Sequence, residues 1–131
     1  MIGLDTNVVI RYLTQDDPVQ SPLANRIMDT LTAADPGFLC REVLVEIVWV
    51  LERAYQVPKG DIVSVIEGLL STEELVVETG DRVGRALAAY RSGQGGFADA
   101  MIVAATIDAG ASESVTFDRN AAQLTGARQI R

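Results

Sequence analysis

Residues 1–7, Met1-Ile2-Gly3-Leu4-Asp5-Thr6-Asn7, set the reading of everything that follows them. A brief strand, Met1–Leu4, ends on an acid. Three helix-capping residue types in succession, Asp5, Thr6 and Asn7, then turn the backbone into a helix through Val8, Val9, Tyr12 and Leu13. One cap serves one helix, which leaves two polar side chains free to orient the Asp5 carboxylate. The same strand-then-helix unit recurs along the chain. Gly37–Cys40 is a second strand before an apolar helix from about Arg41 to Tyr55, and Leu75–Glu78 is a third before a helix with Val83, Leu87 and Tyr90 inward. Val115–Phe117 is a fourth strand and Arg128–Ile130 a candidate fifth. Strands alternating with helices imply an α/β fold whose parallel sheet is covered on both faces. Ligands of such sheets gather beyond the carboxyl ends of the strands. Asp5 and Asp118 each follow a strand directly and so belong to one rim.

The remaining helices are punctuated by proline and glycine. Asp17-Pro18 opens a helix with a capping acid and a first-turn proline, and Leu23, Ile27, Met28 and Leu31 give it a core face at helical spacing. Pro58 and Gly60 precede a helix with Ile62, Val65, Ile66, Leu69 and Leu70 inward. The loop Gly93-Gln94-Gly95-Gly96 leads into a helix from about Ala98 to Ala109, with Gly110 as its C-terminal stop.

Composition narrows the chemistry. With 131 residues, 48% hydrophobic and 22% charged, the chain reads as one soluble globular domain, residues 1–131, without a repeat or linker. Charges interrupt every apolar run and no basic leader precedes residue 5, so a cytoplasmic protein without a membrane span is expected. There is no histidine and a single cysteine, Cys40. This excludes Ser-His-Asp and Cys-His nucleophile systems and disfavours zinc or iron. The oxygen ligands that remain suit Mg²⁺ or Mn²⁺. A net charge of −7 argues against loose, sequence-independent nucleic-acid binding.

Four carboxylates interrupt or end apolar runs, where a buried or half-buried surface is expected: Asp5, Glu46, Asp99 and Asp118. Glu46 is the sharpest anomaly, the only charge in Val43-Leu44-Val45-Glu46-Ile47-Val48-Trp49-Val50-Leu51. An ordinary explanation is an ion pair with Arg53, and Glu42, one turn earlier, is the rival acid. Asp5, Asp99 and Asp118 each have a capping explanation. Together, however, four clustered acids would repel one another unless protonated or offset by a cation. One or two Mg²⁺ or Mn²⁺ ions would relieve that repulsion and serve in-line phosphoryl displacement.

Ile2-Gly3-Leu4-Asp5-Thr6-Asn7, Val45-Glu46-Ile47-Val48-Trp49, Phe97-Ala98-Asp99-Ala100-Met101-Ile102 and Thr116-Phe117-Asp118 resemble, in order and spacing, the motifs of PIN domains, most closely VapC-like ribonuclease toxins. The resemblance implies a three-layer fold with a central, mainly parallel sheet of four to five strands flanked by helices. It implies Mg²⁺- or Mn²⁺-dependent endoribonuclease activity on an RNA substrate. Asp5, Glu46, Asp99 and Asp118 match the acidic quartet as catalytic residues and metal ligands, with Thr6, Asn7 and Thr116 in support. Such toxins usually form homodimers and are neutralised by a small antitoxin protein. Many relatives carry an acid where this chain has Gly96, which bears on metal number or affinity. Arg11, Arg82, Arg85 and Arg91 are candidates for steering RNA, against surface ion pairing as the ordinary role.

Three other readings compete. A response-regulator-like or phosphatase-like domain wants a second acid near Asp5 or a late lysine, whereas position 7 is Asn and the only lysine is Lys59. A catalytically silent PIN-fold binding partner, or a nuclease without a toxin role, fits the same residues.

Overall fold

Each strand is only two or three residues long, so helices carry most of the packing. The computed structural model describes residues 1–131. In chain order it has β1 (Ile2–Gly3), α1 (Thr6–Thr14), α2 (Gln20–Thr30), β2 (Gly37–Leu39), α3 (Arg41–Arg53), α4 (Lys59–Ser71), β3 (Leu75–Val77), α5 (Gly80–Arg91), α6 (Phe97–Asp108), β4 (Ser114–Thr116), a 3₁₀ turn (Ala121–Gln123) and β5 (Ala127–Gln129). Every strand pair is parallel, as βα alternation requires. Gly3 faces Phe38, Phe38 faces Val76, and Val115 faces Arg128. The ladder bonds form two groups, β1-β2-β3 and β4-β5, rather than one continuous sheet. With two residues, β1 has little backbone left to extend a ladder on its second edge.

The core runs between the β1-β2-β3 ladder and the helices, through Val9, Leu39, Leu44, Ile47, Ile62, Ile66 and Val83, all essentially without solvent exposure. Gly37 sits where β2 is most crowded. A methyl group there would stand 2.9 Å from Leu31 Cδ1 and from Leu4 Cδ1.

Two helices turn differently from the sequence expectation. In α2 the buried residues are Ser21 and Ala24, while Leu23 and Ile27 lie exposed. The small side chains let α2 approach α1, and Ser21 Oγ donates to the Arg11 carbonyl at 2.8 Å. Met28 and Leu31 do reach the core. In α3 the buried stripe is Val43, Leu44, Ile47, Val48 and Leu51. Glu42, Glu46, Trp49 and Arg53 form the opposite, exposed stripe. The helix is therefore amphipathic rather than buried on every side, and Trp49 is 58% exposed.

Tyr90 couples the later helices. It is buried on α5, meets Phe97 of α6 edge-to-face at 6.0 Å between ring centroids, and donates its hydroxyl to Glu52 of α3 at 2.9 Å. The Lys59 ammonium of α4 lies 4.9 Å from the ring centroid. Gly93 and Gly95, at φ +80° and +134°, then make the turn that starts α6 against this cluster.

Candidate active site

Asp5 sits two residues beyond β1 as the N-terminal cap of α1. Its Oδ1 accepts from the Thr6 N–H at 2.7 Å, and its carbonyl accepts from Val8 and Val9. A capping side chain ordinarily serves the second or third helical N–H, so this carboxylate is only partly committed to its helix. Thr6 Oγ1 beside it is buried and has no hydrogen-bond partner. The Thr6 backbone, rather than the side chain of Thr6 or Asn7, bonds the Asp5 carboxylate.

Glu46 projects from the outer stripe of α3. None of the protein's ion pairs engages it, and none joins it to Arg53. Glu42, the rival, is paired with Arg41 at 3.5 Å. Its carboxyl is held below the usual range chiefly by its own backbone N–H. The N-terminus of α3 is fixed from outside the helix: Cys40 supplies no side-chain cap, and Glu78 Oε1, just past β3, accepts from the Arg41 N–H at 3.0 Å.

Asp99 lies in the first turn of α6, whose cap residue Gly96 offers no side chain. It is half-buried. Burial first, and then the neighbouring Asp118 charge, push the Asp99 carboxyl above its ordinary range. Position 96 borders this group, since a Cβ there would stand 3.5 Å from Asp99 Oδ2. Asp118 follows β4. Its N–H donates to Thr116 Oγ1 at 3.0 Å and its Oδ1 accepts from the Ala121 N–H at 2.9 Å, so one oxygen caps the 3₁₀ turn.

The acids thus come together as two pairs. Asp5 and Glu46 line one cavity of about 400 Å³, shared with Arg11 and Tyr55. Asp99 and Asp118 stand close enough to repel. Glu46 also lines a larger apolar groove of about 460 Å³ between α3 and α6, with Ala98 and Met101. No three of these acids converge at ligand geometry. Backbone N–H groups at Thr6 and Ala121 hold Asp5 and Asp118 in place locally. Asp5, Glu46 and Asp118 are exposed rather than buried, because the rim beyond short strands opens to solvent.

Several arginines have structural duties. Arg11 meets Asp16 at 3.4 Å, Gln20 at 2.8 Å and Tyr55 at 3.2 Å, and Tyr55 in turn donates to Asp16 at 2.9 Å. Arg91 faces Glu67 at 3.9 Å. Arg82 and Arg85 converge on Asp108, at 2.9 and 2.7 Å, tying α5 to the end of α6. Arg85, then Arg82, pull the Asp108 carboxyl down to about 2. A carboxyl lowered in the folded state stabilises above its unfolded value, and that contribution is lost as pH falls toward the folded one. Asp108→Asn is therefore expected to lower Tm at neutral pH. The deficit should shrink as melting is followed from pH 4 toward pH 2, and a deficit constant over that range would contradict the assignment.

Tyr55 carried no mark in the sequence beyond closing the apolar helix that begins at Arg41. Only folding of α3 against α1 brings it to the Asp5–Glu46 cavity.

A known family model, that of the PIN domain, matches residues 2–127. This chain belongs to the PIN-domain family. Over 121 residues it is 27% identical to the VapC ribonuclease of Aquifex aeolicus (strain VF5), covering 92% of this chain and 90% of that protein. Six helices around short parallel strands are the form this PIN domain takes. No helix is long and apolar enough to cross a membrane.

The oxygen-only donor set and the Asp99–Asp118 repulsion suit a hard divalent cation, and the unpartnered Thr6 hydroxyl adds a further oxygen beside Asp5. By donor chemistry these residues suit such an ion, but no three of the acids stand together as ligands.

Proposed function

We propose that this PIN domain is a divalent-metal-dependent endoribonuclease and the toxin of a toxin–antitoxin pair. Its likeness to a VapC ribonuclease supports the RNA substrate, and the resemblance of its motifs to those of VapC-like toxins supports the pairing. The observation that carries the chemistry is a half-buried Asp99 set against Asp118, with no arginine or lysine among the causes that set its protonation. Asp5 and Asp99 would hold Mg²⁺ or Mn²⁺, and Glu46 and Asp118 would hold it directly or through water. When bound, the ion supplies a water of lowered pKa and offsets charge developing on the phosphate. Asp118 keeps one oxygen on the Ala121 N–H, leaving the other for the site. Glu46, exposed and in no ion pair, would be available to hold the ion or a water beside it. Thr116 fixes Asp118 through its backbone N–H, and Thr6 and Asn7 border Asp5. A cytoplasmic homodimer, inhibited by a small protein antitoxin, completes the reading.

The test is cleavage of total cellular RNA by the purified protein. Cleavage is expected with Mg²⁺ or Mn²⁺ and should disappear in EDTA. Undiminished cleavage in EDTA would exclude the metal role. Absence of cleavage with either ion, across tRNA, rRNA and mRNA, would leave a binding protein of PIN fold.

A further inference from the structure

Arg11 and Tyr55 stand in the wall of the cavity that Asp5, Asn7 and Glu46 also line, a space of about 400 Å³. Asn7 and Arg11 are four residues apart on α1, so they share one face of the helix a turn apart. Tyr55 follows α3, with its ring packed against the core and its hydroxyl reaching Arg11. Arg41 and Arg82 line the neighbouring α3–α6 groove, which Glu46 shares and Asp5 does not.

Arg11 is held firmly, yet its charge is only loosely met. Its shorter bonds go to neutral groups: Nε donates to Gln20 Oε1 at 2.8 Å and Nη1 to the Tyr55 hydroxyl at 3.2 Å. The carboxylates stand farther off, Asp16 at 3.4 Å and Asp17 at 4.0 Å. Both acids have closer partners. Asp16 accepts from Thr14 Oγ1 at 2.6 Å and from the Tyr55 hydroxyl at 2.9 Å. Asp17 accepts from the Val19 and Gln20 N–H groups at 2.9 and 2.7 Å. Arg82, Arg85 and Arg128, by contrast, each meet a carboxylate at 2.9 Å or less. The Arg11 bonds use Nε and Nη1 only, so Nη2 donates to nothing in the protein. A fixed guanidinium with one amino group to spare suits a phosphate oxygen.

We infer that Arg11 grips, through Nη2, an oxygen of the RNA phosphate that enters the Asp5–Glu46 cavity, and that Tyr55, anchored on Asp16, is the positioning residue that keeps it there. The inference rests on the ribonuclease reading and adds two residues to its site. Attack on a phosphodiester gathers negative charge on the phosphate oxygens, and a donor already in place stabilises that charge without reorganising. An arginine gives up much rotamer freedom when it grips an anion; here Gln20 and Tyr55 have already removed it in the folded protein. The Tyr55 hydroxyl accepts from Arg11 and donates to Asp16, so its removal loosens the guanidinium without changing any charge.

Cleavage of total cellular RNA with Mg²⁺ is measured over a range of RNA concentrations, and Mg²⁺ binding is read separately as the rise in Tm. Arg11→Ala should lower kcat by about 100-fold or more, as removal of one donor from a developing charge does. Its Mg²⁺-induced rise in Tm should persist. Guanidinium chloride at millimolar concentration should restore part of its cleavage and leave wild type unchanged. Arg11→Lys, which keeps the charge but not the planar fork, should recover only part of the rate. Tyr55→Phe should keep the ring packing and the Mg²⁺ response, yet lower kcat about tenfold, within the range for residues that orient a working group. Wild-type kcat in both Arg11→Ala and Tyr55→Phe would overturn the grip and leave the ribonuclease reading standing. Loss of the Mg²⁺ response together with activity in both Arg11→Lys and Tyr55→Phe would also overturn it, making Arg11 a support of the fold. If wild type cuts no RNA with Mg²⁺ or Mn²⁺, both readings fall.

Discussion

Asp99→Asn is expected to reduce RNA cleavage by at least about 100-fold while making the metal-free protein more stable. The first effect follows from the role proposed for Asp99 as a direct ligand, since even residues that only orient ligands cost 10–100-fold. The second follows from the environment of the carboxyl. Burial and the Asp118 charge raise its pKa in the folded state, so the folded protein holds that proton more tightly than the unfolded chain does. Stability is then lost as pH rises through the raised value. Below it, wild type and variant should melt alike; above it the asparagine variant should melt higher. Adding Mg²⁺ should raise the wild-type Tm by mass action and leave the double variant Asp5→Asn, Asp99→Asn unmoved. A single variant that loses activity and stability together would mean that Asp99 supports the fold, not the chemistry.

Leu44→Ala should cost about 2–5 kcal/mol, a large part of the roughly 5–15 kcal/mol that holds a domain of this size. Leu44 has no solvent exposure and sits at the centre of the buried stripe of α3. Truncating it leaves a cavity that the surrounding core can only partly close. Tm should fall by on the order of 10 °C. Glu46→Ala, two residues along on the opposite stripe, should leave Tm within a degree or so, because Glu46 is exposed and unpaired. Its RNA cleavage should nevertheless fall by at least about 100-fold, on the same ligand argument. Thermal melts and cleavage assays on the two variants separate these faces. Equal losses of Tm would contradict the amphipathic division of α3.

Much of the architecture was legible because it depends on local pattern. β1, β3 and β4 each run out within two residues of an acid, glycine marks Gly93–Gly96 and Gly110, and Val83, Leu87 and Tyr90 recur at helical spacing; all three are buried. In α2 the helical period holds but only half of the expected face does: Met28 and Leu31 reach the core, while Leu23 and Ile27 lie exposed. The helix instead buries Ser21 and Ala24, because close approach to α1 favours small side chains and a hydroxyl that finds the Arg11 carbonyl. In α3, the density of apolar residues suggested burial on every side. A single exposed stripe sufficed for Glu42, Glu46, Trp49 and Arg53.

The sequence by itself determined an α/β protein of PIN type that has no histidine, since these follow from residue types and their spacing. Tertiary structure alone decided that the acids meet as two pairs and that Tyr55 joins Asp5 and Glu46. Distances between residues far apart in the chain depend on how helices seat on one another. That seating is set by side-chain volume and backbone hydrogen bonds across elements, which no local pattern encodes.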